Sequence, residues 1–160
     1  MKPAPVTGRF APSPTGELHF GSLVSAVGSY ADVKSRGGNW LVRVEDIDPP
    51  REVAGAASNI LRTLEAYGLC WDGAVLYQST RTAAYDHAIN TLIERAHAYA
   101  CSCSRREIKN LAQPGPFGVV YPGICRARDL PKESDVAIRV KTQNRTIHIE
   151  DRNLGRLSQN

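Results

Sequence analysis

Pro12, Pro14 and Gly16, packed into a short stretch near the start, constrain this 160-residue chain most. They fall in the run R-F-A-P-S-P-T-G-E-L-H-F-G-S, from Arg9 to Ser22. Each proline fixes φ and removes a backbone donor, so the segment cannot continue either a helix or a sheet ladder and must turn tightly. The residues before it, Val6 to Ala11, read as a strand. Those after it read as a helix opening near Gly21, with Leu23, Val24, Val27, Tyr30 and Ala31 as its apolar positions. A strand–turn–helix of this kind aims His19, Gly21 and Ser22 at the space beyond the strand's carboxyl end. Free N–H groups at a helix start favour a phosphate there, and glycine at 21 lets a nucleotide lie close to the backbone.

The pattern then repeats. Ser35 to Asn39 stops the helix, and Trp40 to Val44 forms a strand ending at Glu45 and Asp46. Asp48-Pro49-Pro50-Arg51 turns into a second helix marked by Ile60, Leu61, Leu64 and Tyr67, which stops at Gly68. A short strand, Val75 to Tyr77, leads through Gln78-Ser79-Thr80 into a third helix over about 81–98, with Tyr85, Ala88, Ile89, Leu92 and Ile93 as its stripe. Strands alternating with helices imply parallel pairing and a doubly wound α/β sheet with ligand at the carboxyl ends of the strands. After Tyr99 the character changes. Residues 99–128 hold three of the four cysteines and a loop rich in proline and glycine, and read as a small inserted module. Val136 to Val140 and Thr146 to Ile149 read as strands, joined as a hairpin through Gln143 and Asn144.

Charge is unevenly spread. Residues 1–104 carry nine Lys and Arg against ten Asp and Glu, whereas residues 105–160 carry eleven against six. A basic back third suits contact with a polyanion, and equally a solvated surface. No apolar run reaches the roughly 18 residues of a membrane span, and the start has no signal-peptide core; a cytoplasmic protein is expected.

The run P-S-P-T-G-E-L-H-F-G-S resembles the HIGH-type signature of class I aminoacyl-tRNA synthetases in its glutamyl form. With G-R-F-A-P-S before it and R-V-E-D-I-D-P-P-R (Arg43 to Arg51) after it, the chain is most similar to the glutamyl-queuosine tRNA(Asp) synthetase family, a shortened branch of the glutamyl-tRNA synthetases. The resemblance covers essentially the whole chain. It implies the first half of a class I Rossmann-type doubly wound parallel sheet over residues 1–98. A zinc-binding insert over 99–128 follows, and 129–160 begins the connection to a second half. It also implies ATP with Mg²⁺, L-glutamate and tRNA(Asp) as substrates, with glutamate passed to the queuosine base by a monomer.

By the same resemblance, Arg9 grips the glutamate side-chain carboxylate, a task that suits a bidentate, permanently charged guanidinium. Phe10, Ala11, Pro12 and Ser13 line that pocket, and Glu45 takes the α-ammonium. His19 donates to the phosphate oxygens, Gly21 and Pro12 receive the nucleotide, and Ser22 stands where many class I enzymes have a second histidine. Asp46 and Asp48 are weaker candidates, Asp48 being equally a turn former. Taken without the resemblance, Arg9 and Glu45 could equally be a structural ion pair, and His19 a hydrogen-bonded loop residue.

Cys101, Cys103 and Cys125 form a C-x-C plus a distant thiol. Thiolates are preferred zinc ligands, and a closed structural site needs four donors. The resemblance supplies Tyr121 as the fourth, in Y-x-x-x-C. From the residues alone His97 competes for that place, and free thiols or a disulfide also fit. Cys70, beside Trp71, reads as a buried packing thiol. Full members of the family carry in addition a K-M-S-K-S-like loop and the second half of the sheet, and neither motif is visible here. Weak or absent ATP–pyrophosphate exchange by these 160 residues alone is therefore expected. Two other readings remain: the N-terminal part of a glutamyl-tRNA synthetase that charges the tRNA 3′ end, and a non-catalytic zinc- and RNA-binding module.

Overall fold

The computed structural model describes residues 5–115, 118–133, 136–143, 145–152 and 154–159. The chain divides into two compact units, Met1–Ala84 and Tyr85–Asn160. Of the positions named above, Asn144 of the expected hairpin turn lies outside the described residues.

In the first unit, β1 (Thr7–Phe10), β2 (Asn39–Val44) and β3 (Leu76–Tyr77) form a parallel sheet in that order. β1 and β2 pair from Thr7↔Asn39 to Phe10↔Val42, and β2 meets β3 at Arg43↔Leu76 and Val44↔Tyr77. α1 (Phe20–Lys34) connects β1 to β2, and α2 (Ala56–Ala66) lies between β2 and β3. The expected strand–helix–strand unit is therefore present, and its strands run parallel.

The core gathers Phe10, Ala26, Val33, Trp40, Val42, Ile60, Leu64 and Leu69. Trp40 is fully buried, stacked on Phe10 at 6.2 Å between ring centroids and met edge-on by Tyr30 at 5.2 Å. Its indole N–H donates to Ser29 Oγ at 3.0 Å, so the one polar atom of the ring is satisfied. Asp72 holds the same residue from the backbone side, accepting from Trp40 N–H at 2.7 Å and pairing with Lys34 Nζ at 2.7 Å.

α1 presents a different face from the one its large residues suggest. Ala26 and Val33 are buried, with Leu23 and Tyr30 packed partly against the core, while Val24 and Val27 are exposed. The reason is how closely the helix approaches β1. A Cβ on Gly8 would fall 2.3 Å from Val33 Cγ2, so only glycine fits there. Small residues on α1 permit that approach, and counting large side chains points the helix the wrong way. On α2, Ile60 and Leu64 are buried as expected, whereas Tyr67 is exposed.

The second unit pairs β4 (Ala98–Cys101) antiparallel with β7 (Ala137–Val140), from Ala98↔Val140 to Cys101↔Ala137. β5 (Gln113–Gly115) pairs with β6 (Gly118–Val120), and β8 (Ile147–Asp151) with β9 (Gly155–Gln159). The expected hairpin between 136–140 and 146–149 does not form. β7 covers β4, three of whose four residues are buried, and β8 turns back on β9 instead. That turn is marked by Asp151 Oδ1, which accepts from Leu154 N–H at 2.8 Å. α4 (Arg105–Leu111) opens on a full capping box, Ser104 and Glu107 satisfying each other's backbone donors.

α3 (Thr82–Glu94) stops short of the expected Ala98. Ala96 adopts φ 54°, its N–H donates to Ile93 O at 2.8 Å, and His97 N–H donates to Leu92 O at 2.8 Å. This is a Schellman ending with alanine in the left-handed place usually held by glycine. Because the Cβ makes that conformation unfavourable for alanine, Ala96→Gly should stabilise the chain by about 0.5–1 kcal/mol in denaturant unfolding. An unchanged or lower midpoint would show that the strain is not there.

Candidate active site and candidate metal centre

The turn between β1 and α1 is held from outside as well as by its prolines. Pro12 O accepts from Glu45 N–H at 2.9 Å, and Pro14 O from Val53 N–H at 2.9 Å. Within it, Thr15 N–H donates to Ser13 O at 2.9 Å. A cleft of about 580 Å³ opens beside this turn, lined by Arg9, Phe10, Ala11, Pro12, Ser13, His19 and Ser22 among others. Arg9 is exposed and forms no ion pair among the described residues, so its guanidinium is available to an anion.

His19 is the N-cap of α1. Its Nδ1 accepts from Ser22 N–H at 3.2 Å, and its Nε2 lies 3.0 Å from Ser22 Oγ. A nitrogen that accepts a backbone N–H carries no proton, which assigns the proton to Nε2 in the neutral ring. Nε2–H then donates to Ser22 Oγ and leaves that hydroxyl's own proton to pass onward. The helix start is thus not an open row of N–H groups: the Ser22 amide is taken by the imidazole. Gly21 has its role here. A Cβ at that position would stand 3.1 Å from His19 Cε1 and 3.2 Å from Nδ1, crowding the capping ring.

Two expected residues are not among those lining the cleft: Gly21 and Glu45. Glu45 is tied to the turn through its backbone, but its carboxylate pairs with Arg43 rather than with Arg9. Residues 43 and 45 share one face of the β2 extension, which brings those side chains together. Asp46 accepts from Ser79 N–H at 2.9 Å and Ser79 Oγ–H at 2.5 Å, fastening the end of β2 to the turn after β3. Burial pushes its carboxyl up, and the Ser79 donors outweigh that, leaving the group more acidic than usual. Asp48 pairs with Arg51 at 2.5 Å across the Pro49–Arg51 turn. The Asp46–Ser79 link has no local signature, because its partners lie 33 positions apart.

In the second unit, the Sγ atoms of Cys101, Cys103 and Cys125 lie within 4.8 Å of one another. Tyr121 Oη sits 3.1 Å from Cys101 Sγ and 3.4 Å from Cys103 Sγ, and accepts from Cys125 N–H at 3.1 Å. Cys103 and Cys125 Sγ are 3.4 Å apart, and all four cysteines of the chain are free. Sulfur ligands around one tetrahedral zinc would stand about 3.8 Å apart, so this donor set fits such an ion with small adjustments. Among the described residues no histidine joins the cluster, which removes His97 as the rival donor. Cys70 is exposed, not a packing thiol; its neighbour Leu69 takes the buried place.

Burial alone would push the Cys101 thiol up, but hydrogen bonds from Tyr121 and Arg139 bring it down to about 6. Burial also pushes Cys125 up, and contacts with Tyr121 and Cys103 bring it below the usual thiol value. Tyr121 is pushed well up by burial and by the neighbouring Cys101. In the metal-free protein, thiolate ultraviolet absorbance should therefore show a step near pH 6 that Cys101→Ser removes. A folded thiol more acidic than the unfolded one contributes stability that is complete above the unfolded value, about 8.5. That contribution is lost as pH falls through about 6. A first step at the ordinary thiol value would contradict this arrangement.

The family model for tRNA synthetases class I (E and Q), catalytic domain, matches residues 5–115. A Glutamyl-Q tRNA(Asp) synthetase of Chromobacterium violaceum is 60% identical over 126 residues, covering 79% of this chain and 42% of that protein. One of Shewanella amazonensis is 50% identical over 158 residues, covering 99% and 51%. A solved glutamate tRNA ligase from Elizabethkingia meningosepticum, in complex with its amino acid, superposes with a TM-score of 0.77 at 28% identity. That match covers 97% of this chain and 36% of the solved one. The chain thus spans about half the length of the curated relatives it matches. With the parallel β1–β2–β3 sheet, the cleft beside the turn that follows β1, and a family match over residues 5–115 that takes in the whole core cluster, the chain belongs to the class I glutamyl and glutaminyl tRNA synthetase family.

Proposed function

We propose that the chain supplies the glutamate- and ATP-facing half of an enzyme that activates L-glutamate and transfers it to the queuosine base of tRNA(Asp). One observation carries the reading: Arg9, a cation without an ion pair among the described residues, and His19, a capping imidazole, line the same cleft. Activation joins the glutamate α-carboxylate to the α-phosphorus of ATP and expels pyrophosphate. Negative charge grows on the phosphate oxygens, so donors fixed around them lower the barrier. In this scheme Arg9 holds the side-chain carboxylate in a bidentate grip, and Phe10, Ala11, Pro12 and Ser13 form the wall beside it. Glu45 exchanges Arg43 for the α-ammonium, its backbone already anchored to Pro12. His19 turns its Nε2–H from Ser22 Oγ to an α-phosphate oxygen, with Ser22 as a second donor. Gly21 keeps the imidazole seated and the nucleotide close. Mg²⁺ accompanies the ATP phosphates.

The domain reading goes with it. Residues 1–98 form the first half of the nucleotide-binding domain, 99–128 a zinc insert and 129–160 the start of the connection to the second half. Cys101, Cys103, Tyr121 and Cys125 would hold one structural zinc, whose chemistry is to cross-link a loop too poor in apolar residues to pack alone.

The names of the solved relatives favour a second reading, in which glutamate goes to the tRNA 3′ end. The curated relatives, at 50–60% identity against 28%, favour the first.

A stable glutamyl-adenylate analogue tests the site in this chain directly. It should bind the chain, and Arg9→Ala should weaken it about 10- to 100-fold, the worth of a charged bidentate contact. No binding, or binding indifferent to Arg9, sinks the proposal. Salt-sensitive tRNA binding without analogue binding would leave a zinc- and RNA-binding module instead. Labelled glutamate offered to tRNA(Asp) with and without queuosine, alongside tRNA(Glu), separates the two acceptors in a protein of the relatives' full length.

A further inference from the structure

We propose that Arg139 is a positioning residue of the metal centre: its guanidinium supplies the counter-charge that holds Tyr121 and Cys101 together as ligands. The inference rests on the zinc reading given above and adds to it a cation that no ligand spacing identifies.

Arg139 lies on β7, opposite Tyr99 in the antiparallel register, while Cys101 faces Ala137. Residues directly opposite share a face, so Arg139 is the diagonal neighbour of Cys101 on the side where the donors gather. Its Cζ stands 4.1 Å over the centroid of the Tyr121 ring. The same cation makes the Cys101 thiol more acidic, and the thiolate in turn favours the charged guanidinium. Its Nε is buried with no hydrogen-bond partner, which fits a guanidinium laid flat on a ring face, where the ring takes the place of an acceptor. One cation therefore stacks on one of the four donors and is the diagonal strand neighbour of a second.

The charge balance explains why it is needed. Three thiolates around a divalent ion leave a net charge of −1, and a phenolate makes it −2. Packed among buried residues such as Cys101 and Cys125, that excess is costly unless a cation stands beside it. A phenol is also a reluctant ligand. A cation over its ring favours the electron-rich oxygen that a metal requires, and it fixes the ring plane so that Oη points at the thiols. Arginine suits both tasks through its flat, permanently charged group; lysine supplies the charge without the plane.

The test is zinc affinity of the 160-residue chain, measured by competition with a chromogenic chelator. The wild type is compared with Arg139→Met, Arg139→Gln and Arg139→Lys. The Co²⁺ ligand-field spectrum reports the ligand set, and thermal unfolding of the metal-free forms reports the fold. Arg139→Met and Arg139→Gln should lose about 10- to 100-fold in zinc affinity. Arg139→Lys should recover most of that loss, with metal-free unfolding unchanged across the set. A neutral variant that binds zinc as tightly as the wild type overturns the proposal, as does an equal loss in Met, Gln and Lys, which would make the role one of packing. If Met fails to fold without metal, Gln against Lys decides. A wild type that takes up no zinc defeats the zinc reading itself, and this inference with it; zinc uptake indifferent to residue 139 defeats the inference alone.

Discussion

The indole of Trp40 lies between Phe10 of β1 and Tyr30 of α1, out of contact with water, and its N–H is satisfied by Ser29. An aromatic side chain of this size buries more apolar surface than any other residue of the core cluster, and its loss would cost about 3–5 kcal/mol. Its consequences go beyond burial. It fixes the distance from α1 to the sheet, and Gly8 then has to be glycine because Val33 comes down on it. Asp72 grips the Trp40 amide while binding Lys34, so the start of β2 and the end of α1 are tied through one carboxylate.

That rigidity reaches the cleft. β1 ends in Phe10, which stacks on Trp40 and also lines the cleft beside Arg9. The two prolyl carbonyls of the turn are held by the Glu45 and Val53 amides, so the segment that lines the cleft is bonded to the chain that follows β2. A backbone frame held in this way keeps its place without help from a ligand, the condition under which electrostatic stabilisation is most effective.

Local chemistry was the legible part of the sequence. Proline and glycine act on their own backbone, so the turn at 12–16, the strands beside it and the thiol cluster followed from residue types and spacing. What escaped was set by partners far away in sequence. The buried face of α1 is chosen by the close approach of Val33 to Gly8, with Ala26 buried on the same helix, not by the larger apolar residues whose period is easiest to see. The end of α3 carries no glycine, because Ala96 takes the left-handed conformation. β7 pairs with β4, to which nothing local ties it, and Arg139 carries no local signal for the same reason. In the candidate cleft, Arg9 and His19 were findable from the motif, whereas the pairing of Glu45 with Arg43 appears only when the strand is folded.

The β4–β7 pair has a consequence for how the second unit comes together. Its inner ends, Cys101 and Ala137, are 36 positions apart, a long excursion for an unfolded chain to close. Were an ion to join Cys101 to Cys125, only about 12 positions would separate the tied segment from Ala137. By the logarithmic dependence of closure entropy on loop length, this eases the pairing by roughly 1 kcal/mol. The thiols would then act as a shortcut along the folding route, drawing the distant strand within reach before any hydrogen bond between β4 and β7 exists.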